Sequence, residues 1–510
     1  MALTVTLATF MEVLDTSIAN VALPHMAGTL GASPEEATWV LTSYLVASAI
    51  VLPISGWLAT RFGRKRFYMT CVAIFTVCSL LCGLATTLPL LIIARVLQGL
   101  GGGGLAPSEQ AILADSFPVA KRGQAFALYG MAVVVAPAIG PTLGGWITDN
   151  FNWHWIFFIN LPIGLLSLYL SNRMVEDPPY LKAMQARPGK IDSMGLGLIA
   201  IGVGCLEFVL DKGQEKDWFG DPKITGTAIV AAVLLSIFVW WEWRHPDPIV
   251  DLRLLKNRNF GTAVFLQFIL GIVLFSTTVL IPQFLQTLLG YTAQLSGMVL
   301  SPAGLMMMVL MPVAGKLVGK MDARLLVSMG YAVTAIMIYN LTRLDLGVSF
   351  NTIMLWRMLQ VIGLPFVFIP ISTLNYVGVP RNKSNQISSF SNFARNMGGS
   401  VGTAMLTTFL VRTAQTHQNA LAVNTGSGFA YRNYIDVTKR ALVASGMGSD
   451  AAGTMAVGRA YTVMVRQASM LSYANAFWVL SVLIACLVPL PFIMRRPPRA
   501  AKVPEDAAAH

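Results

Sequence analysis

The sequence predicts an all-α polytopic membrane protein of 14 transmembrane helices, arranged as two six-helix bundles plus two inserted helices, and three observations carry that expectation. Of 510 residues, 55% are hydrophobic and only 12% are charged, about half the charge of an average soluble domain. The apolar residues fall into repeated segments of about 20, each long enough to cross about 30 Å of hydrocarbon. A motif in the first half recurs in the second at a nearly constant offset, as expected for duplicated halves.

Taken in order, spans near 3–24, 37–60, 67–86, 89–113, 123–148 and 155–172 form an N-terminal bundle, residues 1–175. The first begins close to Met1 and passes Asn20 without a small-residue cleavage site, so it reads as a membrane helix rather than a signal peptide. Spans near 194–211 and 223–243 are an inserted pair within a linker, residues 176–258, whose polar flanks carry Pro178, Pro179, Pro246 and Pro248. Spans near 260–282, 295–318, 324–342, 351–375, 386–411 and 472–494 form the C-terminal bundle, residues 259–496, followed by a cytoplasmic tail, 497–510. Within that bundle, residues 412–471 read as a long outer loop. Alternation over 431–445 and 450–469 predicts short outer helices there, and Asn424–Gly428 separates them from the preceding span.

The repeat supports this division. Arg95-Val-Leu97-Gln98-Gly99-Leu-Gly101 recurs as Arg357-Met-Leu359-Gln360-Val-Ile-Gly363, an offset of 357 − 95 = 262. Gly56-Trp-Leu58 followed by Arg61 resembles Gly315-Lys-Leu317 followed by Lys320, an offset of 315 − 56 = 259.

The net charge of +12 is topological. With a cytoplasmic N-terminus the inner loops carry 23 Lys/Arg and the outer loops 10, six of them in the long 412–471 segment, which leaves 23 against 4. Arg95, Arg357 and Arg395 complete the 36, within or near the cytoplasmic ends of spans. No cationic face remains for nucleic acid. The five cysteines lie in apolar spans without metal-like spacing, and the five histidines are scattered, so neither a metal centre nor a hydrolytic site is expected.

The strongest chemical signal is in span 1. Glu12 and Asp15 are three residues apart and so share a helical face, with Thr9, Thr16 and Asn20 extending a polar stripe. A carboxylate near mid-bilayer costs roughly 2.5–3.5 kcal/mol even on the lenient insertion scale, so such groups face a cavity and do work. Close carboxylates repel, and burial favours the neutral acid, so the pair is expected to hold an exchangeable proton. The plainer alternative is that Asp15 neutralises Arg95. Glu109, and Glu207 with Asp211, are secondary acidic candidates; Glu109 and Asp211 lie toward span ends, where solvation is easy. The run Gly99 to Gly104 fits a nucleotide-loop pattern but sits inside an apolar helix with no preceding strand. It is expected, like Gly140, Pro141, Gly144 and Gly145, to serve close packing and bending.

Together these stretches resemble the major facilitator superfamily, in particular its fourteen-helix drug:H⁺ antiporters of the EmrB type, over essentially the whole chain. Leu14 to Pro24 resembles the span-1 signature of those exporters. Gly56 to Lys65, with Gly56, Arg61, Gly63 and Arg64, resembles the superfamily's loop 2–3 motif. Arg95 with Gln98 and Gly99 resembles the span-4 motif tied to proton coupling, and Gly140, Pro141, Gly144 and Gly145 the span-5 antiporter motif. Thr60 stands where the loop motif usually has aspartate, so a charge interaction holding one conformation is expected to be absent or supplied by other groups.

The resemblance implies no enzyme and no cofactor. It implies a pump driven by a proton gradient that exports hydrophobic small molecules across a bacterial inner membrane, with both termini cytoplasmic. Glu12, Asp15 and Arg95 would couple the protons. A periplasmic membrane-fusion adaptor at the long outer loop and an outer-membrane channel are the partners it implies. Competing readings are export of an endogenous metabolite, lipid or siderophore on the same scaffold and, in another class, a membrane enzyme or sensor.

Overall fold

The computed structural model of the protein describes residues 1–185, 192–425 and 429–495. The 497–510 tail therefore lies outside the described residues. The first half contains α1 (Ala2–Leu30), α2 (Trp39–Phe62), α3 (Arg64–Gly83), α4 (Leu88–Gly102), α5 (Leu105–Ser116), α6 (Val119–Asn150) and α7 (Asn160–Met174). An inserted pair follows, α8 (Ser193–Lys212) and α9 (Pro222–Arg244). The second half contains α10 (Arg258–Thr287), α11 (Ala293–Val318), α12 (Ala323–Leu341), α13 (Phe350–Gln360), α14 (Leu364–Leu374), α15 (Ser384–Thr425), α16 (Phe429–Ala444) and α17 (Ser449–Leu487).

Among the described residues, 13 helical stretches are long and apolar enough to cross a membrane, with α4 and α5 joined as one and α13 and α14 as another. The expected span at 386–411 is not among them. Its helix, α15, carries Asn385, Ser388, Ser389, Ser391, Asn392 and Arg395, all buried against neighbouring helices rather than facing outward. It is held instead by close approach. Gly398 and Gly402 on α15 meet Phe268 and Ile272 on α10, while Gly271 on α10 meets the Arg395 backbone. Small residues at four-residue spacing let helix backbones touch, so packing replaces hydrophobicity as the stabilising term.

The halves meet along two seams. Packing joins α6 to α11, and α2 with α5 to α15, while α8 and α9 pack on each other and α8 lies across α2 and α15.

The 412–471 segment is helical over most of its described residues, as the short outer helices expected there require, but its helices are continuous with the flanking spans, which the sequence does not predict. The α15 helix runs on to Thr425, α16 follows, and α17 begins at Ser449 and continues unbroken into the final span. The helical stretch expected at 431–445 is α16; that at 450–469 is the first half of a longer helix. No proline interrupts 449–487, and extending an existing helix avoids the cost of nucleating a new one. Leu442, Ala452 and Ala456, with Ile435 and Met447, form a small core between α16 and α17. The Asn424–Gly428 separator falls partly outside the described residues.

The span-5 glycines divide by face. A Cβ on Gly140 would lie 2.6 Å from Ser17 Cβ, and one on Gly144 would lie 2.9 Å from Ile18 Cγ2, so these two seat α6 on α1. Gly145 has nothing within 4 Å, so its expected packing role is not seen. Gly140→Val should cost about 1–3 kcal/mol through overpacking. Gly145→Ala, which meets no neighbour, should hold or raise the thermal unfolding midpoint of the detergent-solubilised protein, since Ala in a helix interior is favoured over Gly by about 0.5–1 kcal/mol.

Candidate functional site: a buried ion pair beside a central cavity

Asp15 is enclosed in the first half, where Arg95 Nη1 donates to its Oδ2 at 2.6 Å. Gln98 Nε2 and Asn160 Nδ2 donate to Oδ1 at 3.1 and 2.6 Å. Arg95 is 0% exposed. It also donates to Gln98 Oε1 at 2.8 Å and to the Val40 carbonyl at 3.1 Å, and its guanidinium lies 4.3 Å from the centre of the Tyr44 ring. Both carboxylate oxygens are thus satisfied by donors from α4 and α7, the arrangement that makes a buried charge tolerable. The plainer sequence reading of Asp15, a partner for Arg95, describes its contacts.

Glu12 looks elsewhere. Three residues correspond to about 60° of helix azimuth at 3.6 residues per turn, enough to place the two acids on either side of a boundary. Glu12, Thr9 and Thr16 line a central cavity of about 240 Å³ between the halves; Asp15 does not, and Asn20 is exposed. The expected shared polar face is therefore two surfaces. Tyr44 Oη lies 3.5 Å from Glu12 Oε1, and Oε2 has no partner among the described residues. The remaining cavity lining is mostly apolar, with Val133, Leu274, Phe275, Leu300 and Met307 among it, and with Arg357 and Arg395. These two arginines stand inside the bundle at the cavity rather than at the membrane surface.

The secondary acids behave differently from one another. Glu109 is 0% exposed, contrary to the expected solvated end; it accepts the Thr9 backbone N–H at 2.9 Å, and its Oε2 lacks a partner among the described residues. The cause is the break at Gly103 and Gly104, which lets α5 turn in beside α1. Glu207 is buried and accepts from Ser400 at 2.6 Å, whereas Asp211 is exposed, as expected, and accepts from Thr42 at 2.5 Å.

At the end carrying the α2–α3 turn, the two halves are locked together. Gly63 turns the chain there at φ 92°, a conformation that favours glycine. Arg64 is buried, forms an ion pair with Asp115 at 2.8 Å, and donates to Asn385 at 2.6 Å and to Tyr180 at 2.9 Å. Thr60, at the usual aspartate position, accepts from Asn385 at 3.1 Å. The carboxylate of this network is Asp115, which also accepts from Ser384 at 3.1 Å. Arg61 lies 5.7 Å from the centre of the Trp57 ring. Ser389 donates to the Leu52 and Pro53 carbonyls at 2.6 and 3.0 Å, and Asn392 to Gln110 at 2.9 Å. On the second seam, Gly123 and Gly315 touch, a Cβ on either lying 2.7 Å from the other's carbonyl oxygen.

Toward the opposite end, α2 and α15 bond to α8, through Thr42 and Ser400, so α8 bridges them there. At Gly56 a Cβ would lie 2.7 Å from the Asn385 carbonyl, which is backbone and cannot swing aside. Gly56→Val should disfavour the locked state by about 1–3 kcal/mol, about 5- to 150-fold in population. Spin labels at Phe62 and Asn382 should then report longer distances; an unchanged distribution would show that this contact does not hold the seam.

The sequence reading identified Asp15, Arg95, Gln98 and Glu12 but missed Asn160, Tyr44 and the cavity positions of Arg357 and Arg395. An arginine within an apolar span was an available signal for the last two, since its burial is as costly as that of a carboxylate.

Residues 5–403 match the family described as Major Facilitator Superfamily. The chain is 42% identical over 409 residues to the multidrug export protein EmrB of Haemophilus influenzae, covering 80% of this chain and 79% of that protein. It is 39% identical over 418 residues to the fatty acid resistance protein FarB of Neisseria gonorrhoeae, covering 82% and 81%. Among solved structures, the proton:xylose symporter XylE superposes with a TM-score of 0.58 at 15% identity, covering 96% of this chain and 95% of that one, a likeness of fold.

Proposed function

Because the chain belongs to the major facilitator superfamily, we propose that it exports hydrophobic, drug-like compounds in exchange for inward-moving protons, by alternating access of a site between its halves. The observation that carries this reading is the cavity itself, apolar over most of its wall and holding a single carboxylate, Glu12, that no cation neutralises by an ion pair among the described residues. A carboxyl in that position can take a proton from one side and release it to the other as the cavity changes exposure.

Bundles 1–175 and 259–496 are the moving bodies, with 176–258 as the insert. The locked end is cytoplasmic, and so are both termini, in keeping with the surplus of Lys/Arg in loops on that side. Asp15 and Arg95 organise the half that carries Glu12, and Glu109, bonded to the cavity residue Thr9, is a second proton carrier. Each proton entering yields roughly 2.3 kcal/mol per 100 mV, enough to drive a hydrophobic solute uphill without a cofactor.

The membrane is a bacterial inner membrane, and a periplasmic adaptor leading to an outer-membrane channel docks on the outer helices. Val423 and Phe429, 80% and 84% exposed, together with Val437 and Tyr461 give that region an uncovered apolar surface.

Proteoliposomes loaded with a fluorescent hydrophobic dye test the transport reading. Dye should move when a pH gradient is imposed and stop when an ionophore collapses it; movement indifferent to the gradient would overturn proton coupling.

A further inference from the structure

Between the central cavity and the lock at the α2–α3 turn lies a polar layer with one charge in it. Along α5, Ala106 lines the cavity and Asp115 sits in the lock, with Gln110 between them. Along α15, Asn385 sits in the lock, and Asn392, Arg395 and Asn396 line the cavity. Asn392 Nδ2 donates to Gln110 Oε1 at 2.9 Å and Gln110 Nε2 to Asn392 Oδ1 at 3.5 Å, so two amides pair across the seam. Arg395 Nη2 donates to the same Asn392 Oδ1 at 2.6 Å and to Tyr129 Oη on α6 at 3.4 Å. All four side chains are buried. The Arg395 guanidinium thus folds back toward the lock and stands on the cavity floor, bonded to both halves.

Amides and hydroxyls hold water, and water held in a chain passes protons. A cavity that brings protons to Glu12 would therefore leak them past Gln110, Asn392 and the Ser389 hydroxyl unless something opposed their passage. A fixed cation in a narrow, low-dielectric passage does so, because it raises the energy of any second positive charge there. A guanidinium keeps its proton in such a place, and no ion pair joins Arg395 to a carboxylate among the described residues. The other titratable groups of the cavity wall are Glu12, Tyr44, Tyr129 and Arg357, while Glu109 lies buried behind Thr9. Arg357 is at the cavity's far end. It bonds to Thr277, 277 − 258 = 19 residues along α10, about 28 Å of helix rise from a start that Asp251 and Lys383 tie to the locked end at 3.1 Å.

We propose that Arg395 is the proton seal of the closed cytoplasmic end, a fixed positive charge that lets protons reach Glu12 from outside and stops them from crossing the cavity floor. Asn392 and Tyr129 are its positioning residues, one from each half. Opening the lock parts Asn392 from Gln110 and Arg395 from Tyr129, so the seal exists only while the halves are closed there. This rests on the proton-coupled export reading but assigns a barrier rather than a carrier.

The test is proton entry into liposomes holding the purified full chain and the pH indicator pyranine. No transported dye is present, valinomycin and equal potassium clamp the potential, and acid is added outside. Wild type and Arg395→Lys should acidify at nearly the rate of protein-free liposomes, and Arg395→Gln about tenfold or more faster. Arg357→Gln, which removes the cation at the far end, should stay tight. Arg395→Gln/Glu12→Gln should leak as Arg395→Gln does, because the leak bypasses the carrier. Arg395→His makes the comparison within one folded preparation, tight at about pH 5.5 and leaky at about pH 8, each relative to wild type. A tight Arg395→Gln, an equally leaky Arg395→Lys or Arg357→Gln, or a leak abolished by Glu12→Gln overturns the inference. Gradient-driven dye export by the wild type is read separately: its absence removes the export reading, whereas a tight Arg395→Gln beside intact export removes this proposal alone.

Discussion

Arg95→Leu should destabilise the protein by about 3–5 kcal/mol, the cost of leaving a buried carboxylate without its cation. Asp15 would keep Gln98 and Asn160 as donors but lose the only charge that offsets its own among the described ion pairs. Asp15→Asn should also be costly, because its amide NH2 would face a donor, Arg95 on one side or Gln98 and Asn160 on the other, and Arg95 would lose its counterion. The double variant Asp15→Asn/Arg95→Leu should recover much of the loss of Arg95→Leu alone. A double-mutant cycle on thermal unfolding in detergent measures this directly; additive losses would mean that the pair is not what makes Arg95 necessary.

Glu12→Gln should do the opposite, leaving the fold intact while abolishing gradient-driven export. Its carboxylate makes no ion pair and its one side-chain partner, Tyr44, is at 3.5 Å, so an isosteric amide forfeits at most about 1 kcal/mol of hydrogen bonding. Gln cannot carry a proton across, so dye movement should drop to the level of empty liposomes when a pH gradient is the sole driving force. Downhill exchange of dye should persist. If Glu12→Gln still concentrates dye with the gradient, the coupling proton travels elsewhere, and Glu109, fully buried beside Thr9, becomes the group to replace.

These two variants separate acids that the sequence placed together. Their common helix and spacing were legible, and so was the pairing of Asp15 with Arg95, since few charges occur in apolar spans and each needs a partner. What spacing could not tell was on which side of the boundary between bundle interior and cavity each acid falls. The burial of Glu109 is not legible in the sequence, because nearness to a span end does not by itself give access to solvent, and the glycine break before α5 carries it under α1. The continuity of the 412–471 helices with the flanking spans is not legible in the sequence, because low hydropathy ends a membrane span without ending a helix.

By itself, the sequence determined the class of protein, nearly all of the apolar spans, the charge asymmetry of the loops and the repeat. Each of these follows from a cost paid residue by residue along the chain: burying a charge in hydrocarbon, or leaving a backbone polar group without a partner. The tertiary structure decided which charges are compensated. Asp15 meets Asn160 from 145 residues away, Arg357 donates to the Thr277 hydroxyl, and the lock at the α2–α3 turn depends on Asn385 from the other half. Such pairings depend on helix azimuth and on neighbours distant in the chain, and so arise only when the helices pack.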